Sequence, residues 1–296
     1  MAHLSRWPAI ILSAAFLMLL FAGIFADPAS SSTPPIAAID SHLQKMTYQV
    51  YAGGINAVTA ELDVAYEAKD RYRLSLAAHT RGLLGKLVPW SGLFETKGWR
   101  SAEGIDTPEL HRSSAIWRNE EEIKEYNYGA DGSFKSLRVI EEGKDTSKKI
   151  DDELTQGTID ALTAALEVME HIAEGGGCEG RSEVFDGARR FALIFVHEAE
   201  EIMEATSYNA YNGPAVRCSV EVKPISGKWH TKPRGWLSIQ EQGRDKGTLP
   251  TLWLAKIDKT GPAVPVKMRV KTDYGTLFMH MIGYKNGVKE FSTKDD

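Results

Sequence analysis

The chain has 296 residues, 43% of them hydrophobic and 25% charged, with a formal net charge of −5. That hydrophobic fraction excludes an intrinsically disordered chain, and an acidic balance without a basic block argues against nucleic acid as the main partner, while leaving room for a local basic patch such as HTKPRG at 230–235. The length fits one all-β domain or two smaller ones.

Residues 1–26 read as a secretory signal, with Arg6 in a short basic start, an uncharged apolar stretch from Ala9 to Phe25, and small or polar residues beyond. Cleavage is expected after Ala26. The alternative is an uncut anchor in the inner membrane, because the stretch falls only slightly short of the roughly 20 apolar residues that span a bilayer. In both cases the rest of the chain is expected in the periplasm. No later segment reads as a transmembrane span. Residues 27–44 open with DPASSSTPPIAAID and read as a flexible lead-in.

Alternation begins at residue 45, where a single β-rich domain is expected to run to residue 290, followed by a tail at 291–296. Met46, Tyr48, Val50 and Ala52 oppose Thr47, Gln49 and Tyr51. Val58, Ala60, Leu62, Val64 and Tyr66 oppose Thr59, Glu61, Asp63 and Glu67. Tyr72, Leu74, Leu76 and Ala78 oppose Arg71, Arg73, Ser75 and His79. A period of two held through three runs predicts antiparallel strands with one wet face and one dry face. The next segment, GLLGKLVPWSGLFETKGW, is apolar and interrupted by Pro89, which predicts a helical turn or a loop. Its Leu83, Leu84, Leu87, Val88, Trp90, Leu93 and Phe94 would plug the open end of the sheet or line a ligand cavity.

Farther on, PELHRSSAIWR gathers His111, Arg112, Trp117 and Arg118, the densest group of recognition residues in the chain, with Trp117 placed to receive a stacked cation. The stretch TIDALTAALEVMEHIAEGGG is the one convincing helix: Ile159, Leu162, Leu166, Met169 and Ala173 make a single apolar stripe, Thr158 is positioned to cap it, and glycines end it. Alternation returns at Val216, Cys218, Val220 and Val222, and again at Val264, Val266, Met268 and Val270. Asp131-Gly132, Asp186-Gly187, Asn212-Gly213 and Asn286-Gly287 lie between strand-like runs and favour tight hairpins.

The chain has two cysteines, Cys178 after three glycines and Cys218 on the dry face of a strand. In an oxidising compartment they read as one disulfide that ties the helix exit to that strand; buried free thiols are the alternative, and the missing CxxC argues against a redox pair.

Catalytic patterns are weak. The histidines are scattered, without the close ligand pairs of a zinc site. His197 opens HEAEE, which lacks the second histidine of HExxH, and VPWSG lacks the first glycine of GxSxG. The carboxylate runs NEEEIKE, IEEGKD and KKIDDE read as solvated faces. Arg189 and Arg190 would form an anion site or simply be exposed hairpin arginines. Nothing specifies a reaction or a cofactor.

Several segments together resemble a family. YQVYAGGINAVTAELDVAY, LLGKLVPWSGLFETKGW, PELHRS, CEGRSEVFDGARRFAL, GPAVRCSVEVKPISGKW and VPVKMRVKTDYGTLFMHM resemble, in this order, the bacterial envelope family known as domain of unknown function 3108. The resemblance implies an exported protein, places Cys178 and Cys218 at the family's cysteine positions, and matches Asp186, Gly187 and Arg190 to its turn. It carries over no catalytic residue. By analogy it also implies a mainly β fold, a strongly curved antiparallel half-barrel like those of periplasmic lipoprotein carriers, with one main packed α-helix. The expected function is non-enzymatic binding of a lipid-like ligand, with Leu83, Leu84, Leu87, Trp90, Phe94 and Trp117 as the candidate contacts. The alternatives are an interaction module that binds an envelope protein through a sheet face or edge, its interior filled, and an unrecognised hydrolase.

Overall fold

The structure is a computed structural model, described here for residues 42–67, 70–229, 236–273 and 275–293. The expected signal, most of the expected lead-in and the 230–235 run lie outside the described residues.

The strands are β1 (His42–Ala52), β2 (Ile55–Glu67), β3 (Arg71–Thr80), β4 (Trp90–Arg100), β5 (Asp106–Trp117), β6 (Glu120–Tyr128), β7 (Phe134–Glu141) and β8 (Lys144–Asp145). After the helical part come β9 (Gly180–Phe185), β10 (Arg189–Met203), β11 (Gly213–Gly227), β12 (Thr251–Ala255), β13 (Val264–Thr272), β14 (Gly275–Lys285) and β15 (Glu290–Ser292). The described helices are α1 (Gly82–Leu87), α2 (Asp152–Thr155), α3 (Ala161–Ala173) and α4 (Trp236–Asp245). All strands belong to one open antiparallel sheet in the order β8-β7-β6-β5-β4-β3-β2-β1-β14-β13-β12-β11-β10-β9, with β15 paired to β14. Two boundaries differ from the sequence reading: β1 starts at His42, inside the expected lead-in, and β15 reaches into the expected tail.

The dry faces align across strands because the pairing keeps their phase. Tyr284, Met46, Leu62, Leu76 and Phe94 stand opposite one another in one row through β14, β1, β2, β3 and β4. Asp131-Gly132, Asp186-Gly187 and Asn286-Gly287 fall between consecutive strands of hairpins, whereas Gly213 already opens β11 opposite Met203; Gly132 and Gly187 take φ of 74° and 95°, where a side chain would be strained. The sheet curls around α3. The sequence predicts one buried stripe on this helix, but Ala161, Ala164, Val168 and Ile172 are buried as well as Leu162, Leu166 and Met169. A concave sheet covers more of a cylinder than a flat one does.

The cap also differs from expectation. Asp160, not Thr158, caps α3, its Oδ1 accepting from the backbone N–H groups of Leu162 and Thr163 at 3.0 Å each. Thr158 instead donates to the Thr155 carbonyl, and Ile159 forms a parallel bridge to Val184 along the outer edge of β9. The far end of the sheet reaches the same region: Phe185 of β9 makes edge-on ring contacts with Tyr126 of β6 at 6.0 Å and Phe134 of β7 at 5.6 Å, and Leu137 completes this second small core. Side chains rather than a ladder close the curl, which leaves the sheet formally open.

Cys178 and Cys218 are bonded and fully buried, with Cα atoms 5.8 Å apart. Helix α4 is absent from the sequence reading. Its run WLSIQEQGRD is mostly polar, and it is held through tertiary bonds: Gln240 accepts from the Val222 N–H at 2.7 Å and donates to the Val222 carbonyl at 3.1 Å, with Ile239 buried beneath.

Candidate functional site

At the rim where β1 begins, the loop from β12 to β13 and the β14–β15 hairpin enclose a groove of roughly 780 Å³. Leu43 and Ile257 contribute apolar surface, and Val288 stands at the hairpin tip with 98% of its surface exposed. Lys45, Lys259, Lys285 and Lys289 surround it, against one acid, Asp258. Lys45 is paired with Asp63 at 2.8 Å and Lys285 with Glu290 at 2.9 Å, whereas Lys259 and Lys289 have no ion pair among the described residues.

A polar relay holds the two loops in register. Gln44 donates to the Pro262 carbonyl at 3.2 Å and accepts from the Tyr284 hydroxyl at 2.8 Å. Asn286 donates to Tyr284 at 3.2 Å and to Asp258 at 2.8 Å, and Asp258 accepts from the Thr260 N–H at 3.0 Å. The Asn286 side-chain oxygen accepts from the Val288 and Lys289 N–H groups, which shapes the hairpin tip. Burial first, then the nearby Asp258 charge, raise the Tyr284 pKa and keep its hydroxyl a donor. The groove is therefore built from a strand start and two loops fixed by buried hydrogen bonds.

Beside it, sharing Thr260, a smaller recess is lined by Tyr66, Arg100, Glu170, Glu174 and Lys256 at the end of α3. Arg100 contacts Glu170, Asp106 at 3.3 Å and Glu174 at 2.8 Å; Tyr66 donates to Glu170, and Lys256 to the Ala173 carbonyl. This arrangement clamps the helix terminus to β2 and β4. Burial lifts the Asp106 pKa to about 6 while Arg100 opposes the shift. The folded state then holds this proton more tightly than the unfolded chain, so between about pH 4 and 6 Asp106 costs stability as pH rises. Asp106→Asn is expected to reduce that slope and to recover about 1–2 kcal/mol at pH 7. Urea unfolding at pH 4.5 and 7 checks it, and an unchanged slope would refute the assignment.

The residues expected to bind ligand do not converge on one cavity. Trp90 and Phe94 point into the main core, 4% and 1% exposed, in the same cluster as Leu162 and Leu166 of α3. Leu84 packs partly against that core, while Leu83 and Leu87 on α1 are 66% and 55% exposed and Leu93 faces outward. The helical turn extends only to Leu87; after Pro89 the segment is strand β4, whose alternation splits the set between two faces. The stretch therefore presents no single continuous surface: Trp90 and Phe94 lie in the core, and Leu83 and Leu87 lie outside it. Trp117 is partly buried against the core at the end of β5.

His111 is fully enclosed, its Nδ1 3.4 Å from Asp160, so it belongs to the interior and not to a recognition cluster; burial lowers its pKa, with Asp160 pulling the other way. Arg189 is bound to Asp186 at 2.5 Å and Arg190 to Glu183 at 2.6 Å, so neither is a free anion site. His197 lies within strand β10. The groove was missed because its walls come from residues 43–45, 257–260 and 285–289. The only signals were the Asn286-Gly287 turn and a local excess of lysines.

The fold and this rim define a curled antiparallel sheet around one helix, with a lysine-framed groove at one end. The chain belongs to the family described as protein of unknown function (DUF3108), which matches residues 47–282. No curated protein matches it. Among solved structures it is similar to a β-barrel-like protein of domain of unknown function DUF1849 from Brucella abortus, at 10% identity and a TM-score of 0.42, covering 86% of this chain and all of that one.

Proposed function

We propose that this protein is an exported, non-enzymatic component of the cell envelope that holds an amphiphile with an anionic head group in the rim groove. The groove carries the reading: its volume lies in the range of small-molecule sites, its floor is apolar, and two of its four lysines have no acidic partner among the described residues. An acyl chain on Leu43 and Ile257 would bury apolar area, and its carboxylate or phosphate would meet Lys259 and Lys289. The main interior is occupied by α3 and aromatic side chains, which supports a ligand at the rim over one inside the curl.

The test is native mass spectrometry of the mature chain titrated with palmitate, backed by calorimetry. One palmitate per chain is expected, with affinity reduced about tenfold in the double variant Lys259→Glu, Lys289→Glu, and little changed in Leu87→Glu on the opposite rim. Absence of binding, or binding weakened only by Leu87→Glu, would sink this reading.

A further inference from the structure

The outward face of β12, β13, β14 and β1 has an unusual composition. An antiparallel strand's outer positions are ordinarily polar, yet here aromatic rings and cations alternate across neighbouring strands. Leu252 and Leu254 face the core opposite Cys218 and Val216, and Trp253 lies on the other side of β12 between Arg217 and Lys267, only 4% exposed beneath the side chains around it. Lys267 stands opposite His280, and His280 opposite Gln49. In the adjoining row Arg269, Phe278 and Tyr51 stand side by side. Tyr208 leans over them from the β10–β11 loop, its ring 5.3 Å from Tyr51 and 56% of its surface exposed.

The charges of this face are not balanced. Lys267 Nζ lies 4.9 Å from the Trp253 ring and 5.9 Å from the Phe278 ring, and the Arg269 guanidinium 5.4 Å from Trp253. Among the described residues neither cation has a carboxylate within salt-bridge distance. Glu201, the acid that acts on Lys267, is already bound by Arg217 and by the Trp253 indole N–H at 2.8 Å. Burial first, then Arg269, lower the Lys267 pKa, with Glu201 opposing them. His280, its pKa lowered to about 4 by burial and by Lys267, is neutral at pH 7 and adds no charge.

We propose that this face is the docking surface for an acidic segment of a partner protein. Acidic side chains would supply the counter-charge that Lys267 and Arg269 lack, and the exposed Tyr208 would be the aromatic anchor of the contact. A polysaccharide fits less well, because sugars need open ring faces. The Trp253 ring is already covered by two cations, and the Phe278 ring is stacked on His280 at 5.6 Å and 22°. What remains open is Tyr208 and the half-buried positive groups. The surface is separate from the rim groove and does not rest on its function.

The experiment uses the mature chain labelled with ¹⁵N, following the Trp253 indole resonance. The probes are a synthetic dodecapeptide of alternating glutamate and tyrosine, its glutamine-for-glutamate counterpart, and an oligogalacturonate. The glutamate peptide alone is expected to move the Trp253 resonance, with about tenfold weaker binding in Lys267→Gln and in Tyr208→Ala, each checked for folding by circular dichroism. No shift at millimolar peptide would overturn the proposal. So would a response to the glutamine peptide or the oligogalacturonate equal to that of the glutamate peptide, or binding unaltered in both variants.

Discussion

Replacing Cys178 and Cys218 together by alanine is expected to lower the unfolding free energy by about 4 kcal/mol. The bond closes a loop of 40 residues, which in the chain-entropy description gives roughly that value. Both sulfurs are fully buried in the main core between the exit of α3 and β11, so the alanines also leave unfilled volume. The effect should be read by urea unfolding of the oxidised chain, the reduced chain and the double variant. Reduced and doubly substituted proteins should unfold at similar, much lower urea concentrations. A loss below about 1 kcal/mol would mean that α3 is held in place without the bond.

The second large effect is expected at Asp160. This carboxylate is 1% exposed and accepts from two backbone N–H groups of α3, from Thr163 Oγ1 at 2.6 Å and from Thr96 Oγ1 of β4 at 3.1 Å, with His111 of β5 beside it. It is at once the helix cap and the polar tie between α3 and the concave wall. Asp160→Ala would leave those donors without an acceptor in a site closed to water, at a cost of about 3–5 kcal/mol. Asp160→Asn keeps one acceptor oxygen and should lose about half as much. Denaturant unfolding measures the totals, and hydrogen exchange at the Leu162 and Thr163 amides locates them. Equal exchange in wild type and Asp160→Ala would show that the cap does not hold the helix start.

Both effects concern how α3 is seated, and both were only partly legible in the chain. The pairing of Cys178 with Cys218 follows from there being two cysteines, one on a dry strand face. The cap was misassigned to Thr158 because a threonine before an apolar stripe resembles a cap; Ile159 instead joins the β9 edge, and the helix cannot start until that bridge ends. Leu83 to Phe94 look like one apolar surface in sequence, but the change from helical turn to strand at Pro89 sends alternate residues to opposite faces.

What the sequence determined by itself is local: the period of two in β1 to β3, β11 and β13, the Asx-Gly turns of the hairpins, and the central helix. These are legible because side-chain direction repeats within a few residues, and water selects the polar face. What only the tertiary structure decided is which distant segments meet. β1 pairs with β14, bringing Leu43 and Lys45 beside residues 257–260 and 285–289, and Gln44, Tyr284, Asn286 and Asp258 then hold the groove's walls. The aromatic and cationic rows outside arise in the same way, from the register of four strands. No local pattern encodes such neighbours, because strand order and curvature depend on burying α3 and closing the curl through Phe185 and Tyr126, contacts that exist only once the whole sheet has formed.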